Sequence, residues 1–130
     1  MKHLLRIICA ASLLLLSCQK TGTVSSIYGS WELTLVTDEK GDAVTWMTET
    51  RKIYSFQKGD YDTDAIGILY FQEWNWTGRD TGSFFYDSAT NILSLDIIEN
   101  SGTFEIKKLT REQMVLYEID SHETYYFSRI

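Results

Sequence analysis

From residue 28 onward, apolar and polar positions alternate in short runs. In 28–37, Trp31, Leu33 and Leu35 share one parity and Glu32 and Thr34 the other, the period of a half-buried strand. The run 51–58 repeats the pattern with Tyr54 and Phe56 together. The longer run 65–76 places Ile66, Ile68, Tyr70, Trp74 and Trp76 on one parity and Leu69 and Phe71 on the other, so both of its faces are partly apolar. A short run, 83–86, follows. In 91–98, Leu93, Leu95 and Ile97 oppose Ser94 and Asp96. In 103–109, Phe104 and Ile106 point inward against Glu105 and Lys107. Met114 and Leu116 mark 113–119, and Tyr125, Phe127 and Arg129 share a parity in 123–130.

Clusters of Gly, Asp, Asn, Ser and Thr at 38–42, 59–62, 77–82, 87–90, 99–102, 110–112 and 120–122 separate these runs and read as turns. Residues 43–50 fit a short helix, a hairpin arm or a loop. The result is about eight strands joined by short connections, the spacing of an up-and-down meander. No segment with a helical period long enough for a parallel crossover lies between them. The expected fold is therefore all-β, an eight-stranded up-and-down antiparallel barrel over 27–130. Closure removes the two edges that an open meander would expose. Trp31 is expected to plug one end where the first and last strands meet. The lumen of such a barrel is either filled by side chains or holds one small ligand. A two-sheet sandwich is the competing architecture.

The segment before this domain has a different character. Lys2 and Arg6 precede an apolar run, 7–16, that is too short to span a bilayer, which takes roughly 20 residues. Leu15-Leu16-Ser17-Cys18 resembles a bacterial lipobox. It implies a lipoprotein signal peptide over 1–17, cleavage before Cys18, acylation of that thiol and anchoring to the lipid bilayer. Residues 18–26 then form the lipidated cysteine and a small, polar tether. Gln19 stands where an aspartate would retain such a protein at the inner membrane, so the expected address is the outer membrane, facing the periplasm or the surface. Cys9 would leave with the signal, and Cys18 alone could form no internal disulfide. Loss of Lys2 and Arg6 leaves ten basic residues against 18 acidic ones, a balance of −8. That charge disfavours nucleic acid as a partner.

Gly29-Ser30-Trp31 matches the Gly-x-Trp that opens lipocalins, and Arg129 sits where lipocalins place the arginine that covers that tryptophan. With 109–116 and the closing Tyr125-Tyr126-Phe127-Ser128-Arg129, the chain resembles small bacterial lipocalin-like lipoproteins over 27–130. The resemblance implies the barrel and a structural Trp31–Arg129 pair, an indole sealing one end beneath a guanidinium. The family's Thr-Asp-Tyr signature is missing, with Ile119-Asp120-Ser121-His122 in its place.

Candidate chemistry is sparse. His122 lies in a turn and reads as a solvated side chain. Asp60-Tyr61-Asp62-Thr63-Asp64 has the rhythm of a calcium loop. However, Ala65 and Phe71 occupy the positions that need glycine and glutamate, so an acidic turn is the expected reading and no metal is implied. Glu73 and Asp96 lie within strands, and nothing in the sequence fixes their separation. Asp87-Ser88-Ala89 fits both an O-glycosylation acceptor at Ser88 and an Asx-turn. No catalytic constellation is evident, so an enzyme is not expected and no cofactor is implied. The remaining candidate site is aromatic: Trp46, Tyr54, Phe56, Tyr70, Trp74, Phe84 and Tyr86, as core packing or as the lining of a lumen for a small hydrophobic or amphipathic ligand. The alternative is a filled barrel whose outer face, along 65–76, docks a protein partner.

Overall fold

The computed structural model describes residues 27–44, 51–59, 66–73, 78–97 and 101–130. Within them lie eight strands: β1 (Gly29–Thr37), β2 (Lys52–Lys58), β3 (Ile66–Glu73), β4 (Asp80–Asp87), β5 (Ile92–Asp96), β6 (Gly102–Leu109), β7 (Gln113–Glu118) and β8 (Thr124–Arg129). Each pairs antiparallel with its neighbours in sequence, and β1 also pairs with β8, so the sheet closes into a barrel in the order β1 to β8. Closure gives the edge groups of β1 and β8 backbone partners in each other. The Leu33↔Phe127 and Trp31↔Arg129 pairs fix that seam.

Alternation sorts the side chains. Leu33, Tyr54, Phe56, Leu69, Phe71, Phe84, Tyr86, Leu93, Leu95, Phe104, Ile106, Met114, Leu116 and Phe127 are buried on the inner face. Edge-on aromatic contacts link them: Tyr54 lies 5.0 Å from Phe71 and 5.2 Å from Phe127, and Phe56 lies 5.2 Å from Phe84. This geometry adds about 0.5–1.5 kcal/mol per pair beyond area burial. Glu32, Glu105 and Lys107 point outward, and Arg51 reaches Glu32 with two hydrogen bonds of 2.9 and 3.1 Å.

Two elements depart from the sequence expectation. Leu35 does not share a face with Trp31 and Leu33. The β1–β8 register slips between Leu33 and Leu35, leaving Thr34 as the extra residue. A bulge reverses the parity beyond it, so Val36 is fully buried while Leu35 stands 39% exposed opposite Tyr126. The second departure is β4, which begins at Asp80 rather than at Ser83. Asp80, Thr81 and Gly82 pair with Phe71, Tyr70 and Leu69. A side chain at Gly82 would collide with the Asp96 carbonyl and Ile97, so only glycine permits this approach of β4 to β5.

Candidate functional site

The meander gives the barrel two unlike ends. At one end lie the start of β1, the β4–β5 and β6–β7 turns and the end of β8. Trp31 fills it and is fully buried. Its indole N–H donates to the Ile27 carbonyl at 2.8 Å. The Arg129 guanidinium carbon stands 4.1 Å from the centre of the Trp31 ring. Arg129 also donates to the carbonyls of Tyr28 at 2.7 Å and Arg111 at 2.5 Å. Burial, then the nearby Arg111 charge, lower its pKa. Guanidinium nevertheless stays cationic, and the cation–π contact is worth about 0.5–2 kcal/mol. Gly29 adopts φ +122°, and a Cβ there would lie 2.7 Å from Arg129 Nη1. The glycine of the Gly-x-Trp pattern thus has two physical reasons, a backbone conformation that L side chains avoid and room for the arginine.

At the opposite end the inward positions change character. Lys52 continues the parity of Tyr54 and Phe56, Glu73 that of Leu69 and Phe71, and Glu118 that of Met114 and Leu116. Lys52 and Glu73 are register partners, with Nζ 3.7 Å from Oε1, and the Lys52 side chain is 12% exposed. Tyr125, inward on β8, donates its hydroxyl to Glu118 Oε2 at 2.9 Å and packs edge-on against Phe104. Tyr54 lies below them, 5% exposed. Burial first, then the charges of Glu118 and Glu73, push its phenol pKa well above the usual range. Tyr125 is pushed up in the same way by burial, by its hydrogen bond to Glu118, and by the charges of Glu118, Glu123 and Tyr54. Both phenols therefore stay protonated and act as donors.

Of the seven aromatic residues proposed from sequence, Tyr54, Phe56, Phe84 and Tyr86 face inward and are buried. Tyr86 donates to Asn91 Oδ1 at 3.0 Å beside the Trp31 end. Tyr70 falls on the outer face of β3, between inward Leu69 and Phe71, with the Arg79 guanidinium 4.0 Å over its ring. It does not line the lumen, because its parity in β3 is the outward one. Trp46, Trp74 and Cys18 lie outside the described residues. The strand ends that flank Trp46 and Trp74 (Thr37, Lys52, Glu73 and Asp80) belong to the end opposite Trp31.

Among the other candidates, Glu73 turns inward while Asp96 is exposed on the outer face of β5, so these two carboxylates do not share a pocket. His122 is exposed in the β7–β8 turn at φ 59°, 2.6 Å by Nδ1 from the Tyr117 hydroxyl. The acidic stretch 60–64 lies outside the described residues, among which no group of three or more metal-ligating side chains occurs. Ala89 N–H donates to Asp87 Oδ1 at 3.0 Å, an Asx-turn that leaves Ser88 exposed.

Sequence reading passed over Lys52, Glu118 and Tyr125 as site residues. The signal was present: each stands one step beyond an apolar residue of inward parity. A charged residue at a strand end is ordinarily read as the start of the turn. Comparison with protein-family models, curated proteins and solved structures returned no match.

Proposed function

We propose that the protein is an envelope-anchored, lipocalin-like binding barrel that takes a small hydrophobic or amphipathic ligand through the end opposite Trp31. One observation carries this reading: the inner face is apolar and aromatic through its middle, and at the end opposite Trp31 it acquires Lys52, Glu73, Glu118 and Tyr125. Inward charge is costly in a barrel interior, and an apolar wall with a few convergent polar groups is the usual make-up of a ligand site. Acylation at Cys18 would hold the barrel at the membrane. Titration of residues 27–130 with N-phenyl-1-naphthylamine tests the pocket. Saturable fluorescence enhancement at one probe per chain, displaced by 1-decanol, is expected, and a non-saturable response refutes it. Replacement of Cys18 by Ser is expected to move the full chain from the membrane fraction to the soluble one.

A second reading has its own observation. The outer faces of β3 and β4 bring together Ile66 and Phe85, which are register partners, with Phe85 47% exposed. That patch suits a docked protein partner. It predicts a fixed companion after mild detergent extraction that is lost with Phe85→Lys.

A further inference from the structure

The groups at the open end are unequally satisfied, and the inequality has chemical content. Lys52 is engaged: Glu73 lies within ion-pair distance, and it makes a further interaction besides. Glu118 is not balanced in this way. Among the described residues no cation lies within ion-pair distance of its carboxylate, whose one hydrogen bond from them comes from the Tyr125 hydroxyl. Tyr54 supplies an independent observation. Its side chain is 5% exposed and held edge-on by Phe71 and Phe127. Its hydroxyl makes no hydrogen bond to any described residue, yet no side-chain polar atom among them is both sealed from solvent and unpartnered. The Tyr54 oxygen therefore opens onto accessible space. Tyr54 shares its inward parity with Lys52, and Lys52 pairs with Glu73 at the same end.

A half-buried carboxylate without a cation and a largely buried hydroxyl without an acceptor each leave free energy for a ligand to recover. We propose that the end opposite Trp31 selects an amphiphile with a protonated amine head: the ammonium pairs with Glu118, and an oxygen beside it accepts from Tyr54. This rests on the ligand-binding reading above and adds the chemistry of the head group. A carboxylate head fits poorly, because two inward carboxylates face one lysine that Glu73 already engages.

Isothermal titration of residues 27–130 at pH 7 with three probes of equal chain length, decylamine, 1-decanol and decanoate, tests the head group. Decylammonium is expected to bind about tenfold more tightly than 1-decanol, with decanoate weakest, as an ion pair in a partly desolvated site implies. Glu118→Gln keeps an acceptor for Tyr125 and is expected to bring decylammonium to within about twofold of 1-decanol. Tyr54→Phe is expected to weaken 2-amino-1-decanol and to spare decylamine. Equal affinities for the three probes in the unaltered protein, or an amine preference that survives Glu118→Gln, overturn the head-group proposal and leave the pocket standing. The probe series on the unaltered protein needs no variant to fold. Failure of all three probes, together with a non-saturable naphthylamine response, removes the pocket as well.

Discussion

The two ends of this barrel solve opposite problems with the same kinds of side chain. At the Trp31 end, an aromatic ring and a cation are matched, and the Trp31 indole and the Arg129 guanidinium donate to backbone carbonyls. At the other end, aromatic rings and charges again stand on the inner face, but among the described residues one carboxylate has no cation within ion-pair distance and one hydroxyl no acceptor. The difference teaches that inward polarity alone does not mark a site. What distinguishes the two ends is whether their described polar groups satisfy one another.

Variants at each end sharpen that contrast. Trp31→Ala should produce the largest loss, about 3–5 kcal/mol by urea denaturation, because it opens a cavity at a fully buried position. Arg129→Ala should cost about 2 kcal/mol, combining the cation–π contact with two charge-assisted hydrogen bonds. If it costs nothing, the guanidinium is not what closes this end. Gly29→Ala should cost about 1 kcal/mol or more, through its positive φ and its encroachment on Arg129. At the mouth, Tyr125→Phe should change stability by less than about 1 kcal/mol, since it removes one hydrogen bond to a half-exposed carboxylate.

The smallest effect is one of pH. The folded state holds the Tyr54 and Tyr125 phenols protonated beyond their ordinary range, whereas the unfolded chain releases those protons near pH ~10. Their contribution is complete below that pH and declines as the pH rises through it. Urea midpoints between pH 9 and 11 should fall more steeply for the unaltered protein than for the double variant Tyr54→Phe/Tyr125→Phe. Parallel slopes would show that the two phenols are not shielded by the fold.

Much of this architecture was legible in the alternation of side chains. The strand positions and the inward faces of β2, β5, β6, β7 and β8 follow from period, the pairing of β1 with β8 from the need to close two edges, and the meeting of Trp31 with Arg129 from what the resemblance implies. Two features were hidden for identifiable reasons. A bulge changes parity without any turn residue, so Leu35 looked like a continuation of Trp31 and Leu33. The first residues of β4 are held by backbone pairing and by close approach at Gly82, so Asp80-Thr81-Gly82 carried only the composition of a loop. Tyr70 was grouped with the lining because both parities of its strand are apolar, which leaves the facing undetermined until β3 is paired. The polar groups at the mouth were discounted because a charge at a strand end is usually solvated, and only closure of the sheet turns that end toward the axis.

An even number of strands in a meander returns the chain to the rim from which it started. Ile27 and Ile130 accordingly flank the same tryptophan, and the Ile130 N–H donates to the Ser30 carbonyl at 3.0 Å. Any leash or fusion attached at either terminus therefore meets the barrel at the plugged base, as a cup is held by its foot.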